Sequence, residues 1–92
     1  MTTLRFDWDE RKAASNVRKH GVTFEEGQSV FRDENARLID DPDHSGAEDR
    51  FVMLGLSATP RLLVVCHCYR SEGVIRIISA RKASKAEARN YP

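Results

Sequence analysis

The sequence predicts an α+β fold in the order β-α-α-β-β-β-β-α, with helices packed on a mainly antiparallel sheet. Three observations carry this expectation. The first third holds two helix starts, at Asp7 and Thr23, separated by Gly21. The second half holds three apolar runs with short polar links, the pattern of an antiparallel meander. The last of these, Val74-Ile75-Arg76-Ile77-Ile78-Ser79-Ala80-Arg81-Lys82-Ala83, places β-branched residues on both alternation faces and predicts a central strand buried on both sides.

Leu4-Arg5-Phe6 reads as a short first strand. Asp7 reads as a helix N-cap, with Glu10 three residues on completing a capping box. That helix runs to about His20 and stops at Gly21, the usual residue past a helix end. Its apolar side is thin (Trp8, Ala13, Ala14, Val17), and Arg11, Lys12, Ser15, Arg18 and Lys19 face away. The basic side is either a solvated surface or a ridge that touches RNA or a protein. Thr23-Phe24-Glu25-Glu26 is a second capping box, and Phe24, Gly27, Val30 and Phe31 share one helical face. Arg37 to Asp40 predicts the second strand, and the Pro- and Gly-containing segment from Asp41 to Asp49 a polar loop with His44, Ser45 and Glu48. Phe51–Leu56 and Leu62–Tyr69 predict the next two strands. Ser84, with Glu87 three residues on, opens a short final helix.

The 92 residues make one small domain, with no internal repeat or linker. Apolar residues at 40% and charged residues at 32% place it among ordinary soluble globular chains. Cys66 and Cys68 lie two apart on a predicted strand, about 6.6 Å along the chain, too far to bridge readily. This usage, with no signal peptide and no run of the ~20 apolar residues a bilayer requires, points to a reducing, cytoplasmic protein without a membrane role. The net charge of +1 conceals an asymmetry. Residues 1–60 hold 8 Lys/Arg against 12 Asp/Glu, a net of −4, and residues 61–92 hold 7 against 2, a net of +5. A basic final third suits a polyanion such as nucleic acid, or pairs with the acidic remainder of the same domain.

Cys66-His67-Cys68 raises a zinc site, but strand alternation turns His67 away from the two cysteines. Core residues are the better reading, with no metal and no cofactor. No phosphate-binding glycine loop, nucleophile elbow or HExxH is present. What remains is His44, Glu48 and Arg50 on one side, with Arg76, Arg81 and Lys82 on the other. Cleavage of an RNA phosphodiester through its own 2′-OH needs a base for the hydroxyl proton, cations for the developing phosphorane charge and an acid for the leaving oxygen. Imidazole, carboxylate and guanidinium supply these. Arg81 is the expected phosphate clamp, because a stiff strand fixes the origin of its fork. Strict alternation sets Arg76 and Arg81 on opposite faces, so either a break near Ser79 reunites them or Arg76 is structural and pairs with a carboxylate such as Glu48.

Phe6-Asp7-Trp8-Asp9-Glu10, Lys12-Ala13, Asn16, Lys19-His20-Gly21-Val22 and Phe24-Glu25-Glu26 resemble the opening signature of the BrnT family of toxins. Asp40-Asp41, His44-Ser45, Glu48-x-Arg50, Gly55-x-Ser57, Arg76 to Ala83, Glu87 and Tyr91 follow in the family's order, so the resemblance spans essentially the whole chain. It implies the toxin half of a type II toxin–antitoxin pair: a RelE-like fold that cleaves RNA to inhibit translation. It also implies a BrnA-type ribbon-helix-helix antitoxin as partner, with operator DNA reached only through that partner. Onto this chain it carries Arg50, Arg76 and Arg81 as catalytic cations, His44 and Glu48 as proton-transfer groups, and Lys82 and Lys12 as RNA contacts. A second reading is a non-catalytic, partner-binding subunit of a DNA-binding repressor complex. The chain departs from the pattern at Gly27, where alanine is expected, at Thr59-Pro60-Arg61 in place of a glycine turn, and at Cys66-His67-Cys68.

Overall fold

Asp9, rather than Asp7, opens the first helix. In the computed structural model, which describes residues 4–39, 50–71 and 73–92, the Asp9 carboxylate accepts from the backbone N–H of Arg11 at 2.8 Å and of Lys12 at 3.2 Å. Asp7 is instead the last residue of strand β1, Arg5–Asp7. Helix α1 spans Glu10–His20 and ends on Gly21 at φ 68°, the left-handed geometry that glycine adopts without strain. Thr23 caps α2, Phe24–Ser29, and a 3₁₀ turn continues it over Val30–Arg32. Strands β2 (Arg37–Ile39), β3 (Phe51–Leu56), β4 (Leu62–Ser71) and β5 (Val74–Lys82) follow, then α3 (Lys85–Ala88). The loop with His44 and Glu48 lies outside the described residues.

The described residues form a five-stranded sheet in the order β1-β5-β4-β3-β2. Neighbours are antiparallel except β1, which runs parallel to β5 through Arg5↔Val74, Phe6↔Ile75 and Asp7↔Arg76. One face carries Leu63, Val65, Ile77 and Ala80 against Val22, Phe24 and Val30, forming the main core. Each large aliphatic side chain fully buried there stabilises the fold by roughly 1.5–3 kcal/mol. The opposite face carries Val52, Leu54 and Val64, covered by Ala83 and Tyr91 from the C-terminal segment. The helices therefore lie on both faces, α1 and α2 on one and the α3 segment on the other.

Two expectations need correction. β5 is not buried on both sides, since Arg76, Ile78 and Ser79 are only partly buried. The α1 face is also rotated from the one read in the sequence: Val17 is 44% exposed and Asn16 is buried. The cause is the edge of β5. β1 covers only Val74 to Arg76, so the backbone beyond needs another partner. The Asn16 amide supplies it, donating to the Ala80 carbonyl at 2.7 Å and accepting from the Ala80 N–H at 3.1 Å. Its amide nitrogen also donates to the Val22 carbonyl at 2.9 Å.

Close packing explains one departure from the family pattern. A Cβ on Gly27 would meet the Ala80 Cβ at 3.2 Å, so glycine lets α2 settle onto the sheet.

Candidate active face

β4 and β5 pair as Cys66↔Ser79, His67↔Ile77 and Cys68↔Arg76, leaving Ile78 as an extra residue. This β-bulge resets alternation. Arg81 lies opposite Val64 and Arg76 opposite Cys68, and Val64 and Cys68 point to the same side of β4. The bulge therefore brings Arg76 and Arg81 to one face, away from α1 and α2, which strict alternation would have forbidden. A second shift between Tyr69 and Ser71 leaves Arg70 as the extra residue on β4.

The two arginines are held differently. Arg81 donates to both oxygens of Glu87, Nη1 to Oε1 and Nη2 to Oε2, each at 2.7 Å. Glu87 also accepts from the Ser84 N–H at 2.9 Å, and Ser84 accepts from the Glu87 N–H at 3.1 Å, completing the capping box of α3. The Arg81 fork holds the Glu87 carboxyl down to about 2. The clamp expected to grip a phosphate thus grips the C-terminal helix. Arg76 lies beside Asp7, with Nη1 3.5 Å from Oδ1, while Arg70 Nη1 lies 3.6 Å from Oδ2, and Glu48 lies outside the described residues. Asp7 Oδ1 is shielded from solvent and accepts no hydrogen bond among the described residues. Arg76 is in a loose ion pair beside a second cation.

The other expected residues divide. Arg50, immediately ahead of β3, is exposed. Lys82 lies opposite Leu63 and is directed to the helix side, apart from Arg76. Lys12 lines a cleft where α1 passes the bulge residues Ile78 and Ser79. The Asp9 carboxyl is lowered chiefly by the Lys12 and Arg11 backbone N–H groups, and less by the charges of Lys12 and Arg76, which links those two cations at the β1–α1 corner. Cys66 and Cys68 lie on the arginine face and are not joined by a disulfide, His67 is in the core, and no group of three metal-ligating side chains gathers among the described residues.

Sequence reasoning missed two polar anchors that hold this face. Glu26, expected to complete a capping box, turns away from Thr23 and gathers the β3–β4 turn. It accepts from Arg61 Nε at 2.9 Å, Ser57 Oγ at 2.7 Å and Thr59 Oγ1 at 2.6 Å, and these contacts, Arg61's first, lower it to about 2. Asp33 accepts from the Tyr91 hydroxyl at 2.6 Å and the Leu56 N–H at 2.8 Å, fastening the C-terminus across the sheet. The signal available was Tyr91 itself, which belongs to the quoted motif although nothing local requires it.

The fold and this face define a small α+β domain whose sheet surface, opposite its two longer helices, presents clustered arginines. A family model described as the ribonuclease toxin, BrnT, of type II toxin–antitoxin systems matches residues 8–87, and the chain belongs to that family. The crystal structure of the Brucella abortus ribonuclease toxin BrnT is similar in fold, with a TM-score of 0.68 at 24% identity, over 90% of this chain and 100% of that one. No curated protein matches the chain.

Proposed function

We propose that this chain is an endoribonuclease that cleaves RNA through the substrate's own 2′-OH, without a metal ion, and so inhibits translation in the cytoplasm. A BrnA-type ribbon-helix-helix antitoxin neutralises it and alone carries the complex to operator DNA. The likeness to RelE-type ribonucleases belongs to this reading. The observation that carries it is the loose hold on Arg76: a guanidinium fixed by an interior strand, beside Arg70, engaged among the described residues by an ion pair at 3.5 Å. A group held this way turns to a phosphate at small cost, whereas one in a bidentate pair must first break it. Arg76 takes the role of phosphorane stabiliser, with Arg50, just ahead of β3, as a second cation. His44 and Glu48 exchange the protons, Lys12 and Lys82 contact the flanking strand, and Arg81 positions α3.

Antitoxin-free protein incubated with RNA in EDTA tests the reading. Cleavage that persists in EDTA and falls at least about a hundredfold in Arg76→Ala supports it. Absence of cleavage by the wild type, with tight binding to the antitoxin retained, favours a non-catalytic repressor subunit. Loss of cleavage in EDTA with recovery on added metal removes the metal-free mechanism.

A further inference from the structure

Five rings run in contact, all edge-on except the tilted Phe51–His67 pair, from the core to the surface at the end of the sheet that carries Arg76. Phe6 meets Phe31 at 5.2 Å and Phe31 meets His67 at 4.8 Å. His67, fully buried, meets Tyr69 at 5.7 Å and Phe51 at 6.1 Å, and those two meet each other at 5.3 Å. The ladder ends in the open: Phe51 is 36% exposed and Tyr69 56%. Two large rings left partly in water forgo burial that an interior position would give them. The buried His67 ring beneath touches both, so a further ring placed on them costs little ordering.

The neighbours of this pair supply its charge. Phe51 follows Arg50, and Tyr69 precedes Arg70. Phe51 faces His67 across the strand pair and Tyr69 faces Ile75, one residue from Arg76. Rings on the helix side and arginines on the other therefore share one end of the sheet. Aromatic faces for bases beside cations for phosphates are the pattern by which proteins hold single-stranded nucleic acid. A purely apolar protein segment would not call for these arginines.

We propose that Phe51 and Tyr69 form a stacking platform for an unpaired base of the RNA substrate, with the adjoining phosphates directed round the sheet end toward Arg70 and Arg76. The platform rests on the RNA-cleaving reading above and adds to it a preference for single-stranded over duplex RNA, because a paired base cannot leave its stack to reach the rings.

Fluorescence anisotropy of a short labelled single-stranded oligonucleotide, 2′-O-methylated so that it cannot be cleaved, tests the platform on full-length protein. Tyr69→Ala should weaken binding roughly tenfold or more, Tyr69→Phe should keep it, and Tyr69→Leu should not restore it. Replacing nucleotides one at a time with abasic ones should locate a base whose removal weakens wild-type binding by a similar factor, yet has no further effect on Tyr69→Ala. Tyr69 is a surface residue, and circular dichroism checks that the variants are folded. If the wild type binds RNA and Tyr69→Ala binds equally well, the platform is wrong and the ribonuclease reading stands. If Tyr69→Ala keeps RNA affinity and loses antitoxin affinity, the pair is a protein interface and the proposal falls. If the wild type neither binds nor cleaves RNA, both fall together.

Discussion

Arg76 and Arg81 stand on one face of β5, yet the two halves of that strand are built differently around them. The first half is paired by β1 and leaves its arginine beside Asp7 at 3.5 Å. The second half is paired by the Asn16 amide and gives its arginine a carboxylate fork with two bonds of 2.7 Å. Their exposures hardly differ, with the side chains at 31% and 33%. Accessibility therefore does not distinguish the two cations; the geometry of the partner does.

The largest expected effect breaks the second half outright. Asn16→Ala removes three hydrogen bonds and leaves the N–H and C=O of Ala80 unpaired where β1 does not reach. Unmade buried bonds of this kind cost about 1–3 kcal/mol each, incompletely additive, so destabilisation of about 3 kcal/mol or more is expected. Urea unfolding measures it. A loss below about 1 kcal/mol would mean that the amide is not what closes the strand edge.

Next comes the contrast between the arginines themselves. Arg76→Ala should lower RNA cleavage by about a hundredfold or more with little change in melting temperature. Arg81→Lys should do the reverse. Loss of the bidentate pair to Glu87, which solvent partly screens, costs on the order of 1 kcal/mol, or about 4–8 °C in a domain this size. The rate of its folded fraction should stay near the wild-type value. A cleavage loss of thirtyfold or more in folded Arg81→Lys would return the phosphate to Arg81 and undo the distinction.

Acid titration separates the same two ends. His67, opposite Ile77 near the Arg76 end, is buried and its imidazole is pushed below its ordinary 6.5. The folded state keeps it neutral while the unfolded chain takes up a proton. The associated stability is whole above about pH 6.5 and declines as pH falls toward the lower folded value. Glu87 at the Arg81 end and Glu26 at the β3–β4 turn ionise at about 2 instead of 4.5, so their contribution is whole above about pH 4.5 and is lost as pH falls through about 2. Unfolding free energy should therefore decline in two stages. His67→Phe should remove the upper stage alone, and Glu87→Gln should weaken the lower one. An unchanged upper stage in His67→Phe would assign it to another group.

Local chemistry wrote itself plainly into the sequence. Strand β3 matches its expected span, the capping box of Ser84 and Glu87 forms, and Cys66 and Cys68 turn away from His67 as alternation requires. What escaped depends on partners far apart along the chain. Alternation alone could not give the bulge at Ile78, because an extra residue in a ladder is defined only against the opposing strand. Asn16 looked polar on a helix whose other side offered Val17, and only the short reach of β1 along β5 makes an amide the better inward residue. In sequence, Glu87, six residues after Arg81, reads as a helix-cap residue and leaves Arg81 available; in the fold the carboxylate serves both. Asp7 as a neighbour of Arg76 was equally hidden, since the parallel pairing of β1 that sets them side by side rests on three residues.

The smallest expected effect tests how tightly the second half of β5 is held from above. Gly27 of α2 sits over Ala80, and a Cβ there would lie 3.2 Å from the Ala80 Cβ and 3.6 Å from Val65 Cγ2. Gly27→Ala gains about 1 kcal/mol of helix propensity. Against this stands a contact closer than ordinary packing with a methyl that has no rotamer to move into and whose backbone is fixed on both sides by β4 and Asn16. The two terms nearly cancel, and a net change within about 0.5 kcal/mol is expected, because overpacking a rigid site costs a comparable amount. In an Ala80→Gly background the obstruction is gone, so the same substitution should be more favourable there by about 1 kcal/mol, a coupling that a double-mutant cycle reads directly. If Gly27→Ala alone delivers the whole propensity gain, α2 has room to lift, and this half of the strand is less firmly clamped than its Asn16 and Glu87 contacts imply.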